Sequence, residues 1–182
     1  MELTSPAAGA GNADATPAGS QDGSSVAVTA LYREHALGLI RLANLMLGSR
    51  PAAEDVVQDA FCALYRRWQH LSDPAKALPY LRSCVLNGCR TALRRSGRDR
   101  GAIHQPPVVS AESDVLSREE RREVLDALRG LPDRQREALV LRFYLDLSDA
   151  EIARDMGISR GTVRSTTHRG LAALGITLKE TP

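Results

Sequence analysis

The sequence predicts an all-α chain made of two small helical domains that a flexible linker joins. Apolar residues recur with a helical period, and no segment alternates as a half-buried strand does. Residues typical of helix starts and helix ends occur throughout residues 28–95 and residues 113–178. Between these blocks, residues 96–112 contain two glycines and Pro106-Pro107 without a sustained period, which is typical of a linker.

The composition excludes several classes of protein. The chain has 182 residues, of which 43% are hydrophobic and 25% charged, as in ordinary globular proteins. Residues 1–27 are rich in Ala, Gly, Ser, Thr and Pro, and we predict a disordered tail there. No long apolar run and no basic-then-apolar leader occur, so we expect a cytoplasmic protein without membrane insertion.

Neither a metal site nor an active site is expected. The three cysteines form no CxxC pair, and the four histidines are scattered without metal-ligand spacing. No nucleophile elbow, P-loop or dinucleotide fingerprint is present. We therefore expect no cofactor, no small-molecule substrate and no enzymatic activity.

The first block is predicted to contain three or four helices. The first covers about residues 29–47 and ends at Gly48, and the second begins near Pro51. The outer face of this second helix starts acidic, with Asp55, Gln58 and Asp59. The third covers about residues 79–95 and carries a polar side opposite its apolar side. That polar side consists of Ser83, Asn87, Arg90 and Arg94.

The second block ends in a helix-turn-helix pattern. A helix over about residues 133–145, with Leu139 paired with Phe143, precedes it. Ser148-x-x-Glu151 has the spacing of a capping box and starts a short helix. Gly157 suits the turn, because glycine adopts positive φ cheaply.

Ser159 is placed to cap the last helix, which we expect to run to about residue 174. Its predicted apolar stripe consists of Val163, Thr167, Gly170, Leu171 and Leu174. In helix-turn-helix proteins the start of the second helix reads base edges. The candidate base readers are Arg160, Thr162, Arg164 and Ser165, and the candidate phosphate contacts are His168 and Arg169. A plain helical hairpin with a solvated arginine face is the alternative.

Positive charge is concentrated in two separate segments. Residues 28–100 carry twelve basic and six acidic side chains, and residues 156–182 carry four basic and one acidic. Two basic segments in one chain favour contact with a polyanion at two places. Two solvated helix faces would give the same charge pattern.

Three stretches resemble one family. Residues 131–174 begin LPDRQREALVLRFY and continue through SDAEIARDMGISRGTVRS. They resemble the −35-reading domain of bacterial sigma factors of the extracytoplasmic-function (ECF) group. Residues 52–68, AAEDVVQDAFCALYRRW, resemble the helix that grips the RNA polymerase clamp. Residues 79–95, PYLRSCVLNGCRTALRR, resemble the helix that meets the −10 element.

The resemblance implies a promoter-specificity subunit without catalytic residues. Such a protein docks on the clamp and flap regions of core RNA polymerase, recognises promoter DNA at two elements and helps to melt it. Asp55, Gln58 and Asp59 would meet the clamp, Asn87 a base, and Arg90 and Arg94 the phosphates, with Ser83 on the same face. An anti-sigma factor is implied as a further partner. A stand-alone helix-turn-helix regulator is the alternative function, and an interaction module without DNA binding is a third.

Overall fold

The computed structural model describes residues 18–71, 73–98 and 118–180, and every regular element in these ranges is helical. The helices are α1 (Ala18–Leu47), α2 (Arg50–Arg67), α3 (Ala77–Arg98), α4 (Arg118–Gly130), α5 (Asp133–Leu139), α6 (Asp149–Met156) and α7 (Arg160–Glu180). Helices α1–α3 form an N-terminal region and α4–α7 a C-terminal region. The predicted fold class is therefore confirmed. Among the described helices, none has the length and apolar character that a membrane span requires.

Helix α1 starts earlier than the sequence predicts. The expected disordered tail covers residues 1–27, but α1 begins at Ala18, so this boundary is wrong. Ser24 and Val28 are buried in the first part of α1, and this packing cannot be inferred from a composition of small residues. Residues 1–17 and 99–117, which include most of the predicted linker, lie outside the described residues.

The N-terminal region has an aliphatic core. Leu42, Met46, Leu64 and Leu81 are fully buried between α1, α2 and α3. A buried leucine contributes about 1.5–3 kcal/mol relative to an exposed one, so these side chains fix how the three helices pack. Gly48 ends α1 with a φ of 65°, and the Ser49 side chain then caps α2 by accepting from the Ala52 N–H at 3.5 Å.

The helix-turn-helix in the C-terminal region forms as the local signals predict. The Ser148 Oγ accepts from the Glu151 N–H at 3.4 Å, and the Glu151 carboxylate accepts from the Ser148 N–H at 2.9 Å. The Ser148 hydroxyl also donates to the Glu151 carboxylate at 2.6 Å, and this bond first, followed by the one from the Ser148 N–H, lowers the pKa of Glu151. Gly157 ends α6 with a φ of 64°, and the Ser159 Oγ accepts from the Thr162 N–H at 3.1 Å at the start of α7.

Helix α5 does not continue to residue 145 as a regular helix. Residues Val140–Tyr144 form a π-helical turn, in which the Leu145 N–H bonds the Val140 carbonyl at 3.3 Å, five residues back. The wider turn changes the helical register, and Phe143 is 64% exposed although Leu139 is buried. The predicted pairing of Leu139 with Phe143 is therefore wrong. A π turn has no signature in apolar periodicity.

The two helical regions pack against each other, which the prediction of independent domains does not include. Ala138 and Leu141 belong to the same hydrophobic cluster as the α1–α3 core. The buried Arg136 donates to the Met46 carbonyl at 2.6 Å and so satisfies the end of α1, and burial lowers the pKa of this arginine. The Tyr144 hydroxyl donates to the Gly38 carbonyl at 2.9 Å.

Candidate nucleic-acid interface

One face of α7 presents all the predicted −35 side chains to solvent. The exposed residues are Arg160, Thr162, Arg164, Ser165, His168 and Arg169. The opposite face packs through Val163, Thr166 and Gly170, which are all buried. Gly170 allows a close approach to α5, because a Cβ there would lie 3.1 Å from Leu139 Cδ1.

The predicted apolar stripe of α7 needs one correction. Leu171 is 44% exposed, whereas Thr166, on the opposite side of Gly170 around the helix, is buried. The contact of α7 with α5 is centred on Gly170, and this rotates the neighbouring Leu171 away from the core.

Local hydrogen bonds organise part of the α7 face. The Thr162 hydroxyl lies 2.9 Å from the capping Ser159 Oγ, and the Ser165 hydroxyl donates to the Thr162 carbonyl at 3.1 Å. Arg169 Nε donates to the Ser165 carbonyl at 3.2 Å. Arg164 Nε instead donates to a side chain from α6, the Asp149 carboxylate, at 2.8 Å. Sequence reasoning missed Asp149, which is fifteen residues away from its partner.

The predicted −10 face on α3 is only partly open. Ser83, Asn87 and Arg94 are exposed, whereas Arg90 turns towards the C-terminal region. Its Nε and Nη2 atoms lie 2.7 and 2.5 Å from Glu137 Oε1 on α5. In this arrangement the guanidinium of Arg90 is occupied by protein, unlike the side chains of the other three members of the predicted set, which are exposed.

Further contacts hold Arg90 in place. Its Nη2 donates to the Asp155 carbonyl at the end of α6 at 2.8 Å, and its Nη1 donates to Asn87 Oδ1 at 2.9 Å. The Glu137 side chain is only 4% exposed, so the ion pair is screened little by solvent. We call the contact between these two side chains the Arg90–Glu137 bridge.

A cleft of about 490 Å³ lies beside this bridge, between α3 and the helix-turn-helix. Its charged lining residues are Arg90, Arg94, Asp133, Arg134, Glu137, Arg154 and Asp155. The arginines alternate with carboxylates, so the cleft is of mixed charge. Two predicted −10 residues, Arg90 and Arg94, are thus brought next to the C-terminal region.

The predicted polymerase-binding residues on α2 are all exposed, but they line two different grooves. Asp55 and Asp59 line a groove of about 680 Å³ between α2 and α3, whose other wall includes Asn87. Gln58 lines a smaller groove of about 360 Å³ between α1 and α2, next to Tyr32. One surface therefore carries the acidic candidates together with a −10 candidate.

The described residues hold no group of three or more histidine, cysteine or acidic side chains suited to a metal ion.

The cysteines differ strongly from one another in burial. Cys62 is exposed, whereas Cys89 is buried, and burial first, followed by the nearby Glu137, raises the pKa of the Cys89 thiol to about 12. A thiol with such a pKa stays protonated and unreactive near neutral pH.

Comparison with known proteins separates the alternatives. Residues 31–99 match the family model described as Sigma-70 region 2, and residues 121–174 match the model described as Sigma-70, region 4. The ECF RNA polymerase sigma factor SigL of Mycobacterium tuberculosis is 35% identical over 159 residues, which cover 83% of this chain and 88% of SigL. The chain belongs to the ECF sigma factors of the sigma-70 family.

Other relatives agree with this membership. The sigma-E factor of Streptomyces coelicolor is 32% identical over 136 residues, covering 75% of this chain and 77% of that protein. CarQ of Myxococcus xanthus is 31% identical over 157 residues, covering 85% and 90%. As an ECF sigma factor, the protein is a non-enzymatic subunit that directs RNA polymerase to start transcription at specific promoters. The match to region 2 decides against a stand-alone helix-turn-helix regulator, which the sequence had left open.

Solved structures share the fold. The sigma factor RpoE from Bartonella quintana, in complex with the anti-sigma factor NepR, superposes with a TM-score of 0.66 at 24% identity, covering 84% of this chain and 98% of that chain. CnrH, in complex with the cytosolic domain of CnrY, gives 0.61 at 24% identity, covering 91% and 96%.

Proposed function

We propose that this ECF sigma factor reads the −35 element with the exposed face of α7. The observation that carries this proposal is the arrangement of α7 itself, which begins three residues after the left-handed turn at Gly157 and buries Val163 while exposing Arg160 and Arg164. The N-terminal part of such a helix enters the major groove and contacts base edges. Thr162 and Ser165 lie on the same turns and complete the base-reading set.

His168 and Arg169 contact phosphates in this proposal. They lie further along α7, beyond the turns that a groove-bound helix N-terminus directs at the bases. Phosphate contacts position the protein on the duplex without reading sequence. Their substitution is therefore expected to weaken binding to all promoters alike.

The −10 element is assigned to α3. Asn87 is exposed and its amide can donate and accept along one base edge, while Ser83 lies one turn earlier and Arg94 two turns later. Arg90 and Arg94 would hold the phosphates of the strand. Arg90 can do so only after leaving Glu137, so −10 binding requires the two helical regions to separate at the Arg90–Glu137 bridge.

The acidic face of α2 is assigned to core RNA polymerase. Asp55, Gln58 and Asp59 are exposed and would meet the basic clamp, and the C-terminal region would meet the flap. RpoE is seen in complex with the anti-sigma factor NepR, and CnrH in complex with the cytosolic domain of CnrY. This likeness supports an anti-sigma partner for the present protein too. Its work with RNA polymerase supports a cytoplasmic location.

The test is in vitro transcription by core RNA polymerase and the full chain on a library of randomised promoters. Arg160→Ala is expected to reduce discrimination at one −35 position by about 1–3 kcal/mol, the contribution of a bidentate arginine–guanine pair. Asn87→Ala is expected to spare polymerase binding and reduce opening at the −10 element. Unchanged base preference in the first variant would refute the assignment of Arg160, and normal opening in the second would refute that of Asn87.

The clamp assignment has its own measurement. Asp55→Ala combined with Asp59→Ala should weaken affinity for core enzyme, measured by fluorescence anisotropy, without changing promoter preference. Glu34→Gln is a matched control, since it removes an exposed carboxylate from α1. Equal affinity of the double variant and the wild type would contradict the role of these aspartates.

A further inference from the structure

Asp149 occupies an unusual place between two arginines. Its Oδ1 accepts a hydrogen bond from Arg142 Nη2, and its Oδ2 accepts one from Arg164 Nε at 2.8 Å. Arg142 lies in the π-helical turn after α5, Asp149 is the first residue of α6, and Arg164 lies on the exposed face of α7. The carboxylate thus ties the recognition helix to the two elements that precede it.

The three side chains of this contact differ in how far they are exposed to solvent. The side chains of Arg142 and Asp149 are 28% and 21% exposed, whereas that of Arg164 is 76% exposed. Arg142 is itself anchored, because its Nη1 donates to the Leu147 carbonyl at 3.2 Å. The fixed end of the chain of contacts is therefore inside the C-terminal region, and the outer end is the side chain that faces DNA.

We propose that Asp149 is a positioning residue for promoter recognition, which holds the Arg164 guanidinium in the orientation that reads a guanine in the −35 element. This inference rests on the proposed function of α7. The contact uses Nε and leaves the edge formed by Nη1 and Nη2 able to donate two bonds, as a bidentate contact with guanine O6 and N7 requires. Within the described residues, no other acceptor binds the Arg164 guanidinium.

Holding Arg164 in advance strengthens discrimination for an entropic reason. A free arginine side chain loses rotamer freedom when it docks on a base, at about 0.5–1.5 kcal/mol per immobilised side chain, which corresponds to about two- to twelvefold in binding. A side chain already fixed by Asp149 does not lose this freedom on binding. As an ion pair at the surface, the same contact adds little to the stability of the fold.

The experiment uses holoenzyme assembled from core RNA polymerase and the full chain, on a promoter library randomised across the −35 element. Arg164→Ala should lose most of the preference at one base pair, where a bidentate arginine discriminates roughly 5- to 150-fold. Asp149→Asn should reduce the preference at that same base pair by about two- to twelvefold and leave other positions unchanged. In the Arg164→Ala background, Asp149→Asn should have no further effect at that position.

The matched control is Asp146→Asn. Asp146 is an exposed acid in the loop before α6 with a φ of 52°, a conformation that asparagine tolerates, so the control removes one acidic charge three residues from Asp149 without touching Arg164. An equal loss of preference in Asp146→Asn, or no loss in Asp149→Asn, would overturn the positioning role while leaving Arg164 as a reader. Unchanged preference in Arg164→Ala would overturn both.

Arg164→Lys gives a second measurement with little risk to folding, because the side chain is mostly exposed. A lysine ammonium cannot bind Asp149 and at the same time present a two-donor fork to one base edge. The lysine variant should therefore lose base preference while keeping its general attraction to DNA. Retained preference in this variant would count against a fork held by Asp149.

Discussion

Replacing Arg90 with alanine removes the charge partner of a buried carboxylate. The Glu137 side chain is 4% exposed, and its Oε1 lies 2.5 Å from Arg90 Nη2 and 2.7 Å from Arg90 Nε. Breaking a buried pair by removing one partner is unfavourable by about 3–5 kcal/mol. This cost falls on the closed arrangement alone, because Glu137 regains water when the two helical regions separate.

The equilibrium between closed and separated regions should therefore shift by about 150- to 4000-fold in Arg90→Ala. The loss of folding stability cannot exceed the free energy that separates the regions, since the chain can escape the penalty by opening. The bonds from Arg136 and Tyr144 to carbonyls of α1 join the two regions and break on opening, whereas the capping bonds of Ser49 and Ser159 lie within one region each and remain. We expect opening rather than unfolding.

Small-angle X-ray scattering of the free full-length chain measures this directly. A compact chain of 182 residues has a radius of gyration of about 16 Å, and separation of the regions should increase the measured value in Arg90→Ala relative to the wild type. Hydrogen exchange should increase in parallel along α3 and α5. Arg94→Ala is the matched control, because Arg94 lies on the same face of α3 and bonds only Thr91 among the described residues.

The reasoning would be refuted if Arg90→Ala scattered like the wild type and kept its exchange protection. Replacing both partners by leucine gives a further check. Well-packed apolar residues in place of a buried ion pair are often neutral or stabilising. The double leucine variant should therefore remain closer to the wild-type radius than Arg90→Ala does.

Four other substitutions have expected outcomes that denaturant titration can measure. Gly88→Ala should destabilise the fold by about 1 kcal/mol, because the new Cβ would lie 2.7 Å from Val56 Cγ1 and this clash outweighs the gain in helix propensity. Gly38→Ala has open space at its Cβ and should stabilise the fold by about 0.5–1 kcal/mol. Equal effects of the two substitutions would contradict the close approach of α2 and α3. Gly157→Ala should cost about 1–2 kcal/mol, because its φ is 64°, and an unchanged midpoint would argue against a left-handed turn. Burial raises the pKa of the Cys89 thiol from its ordinary 9.0 to about 12. The contribution of the protonated thiol to the free energy of unfolding is therefore intact below pH 9 and is lost as the pH rises towards 12, at up to about 1.4 kcal/mol per pH unit. Cys89→Ala should lack this part of the loss of stability at alkaline pH.

The sequence was sufficient for features that depend on neighbouring residues. The capping box at Ser148 and Glu151, the glycine turn at Gly157 and the cap at Ser159 involve partners within a few positions of one another, and all three form as predicted. A short polar side chain at a helix start has few other ways to satisfy the free N–H groups there. The exposed side of α7 followed from the same local rules.

Features that join distant residues could not be predicted in this way. Helical periodicity assigns Arg90 and Glu137 to faces of their helices, but it does not show that two side chains 47 positions apart are in contact. The contact between Asp149 and Arg164 depends on the crossing of α6 and α7 and on the π turn that places Arg142. A burial pattern identifies faces of helices, whereas partners are decided by how those faces pack.

The two helices proposed to read DNA consequently differ in the free chain. The α7 face is open, whereas the Arg90 side chain of α3 is bonded to Glu137. In the proposed contact, Arg90 exchanges a carboxylate for a phosphate, and both anions form short charge-assisted bonds with a guanidinium. The exchange therefore changes the electrostatic energy of Arg90 little, and the hydration that Glu137 regains favours it. The Arg90–Glu137 bridge then holds the Arg90 side chain in place in the free chain without strongly opposing promoter binding. Glu137→Gln should therefore change the compactness of the free chain far more than it changes transcription by the assembled holoenzyme.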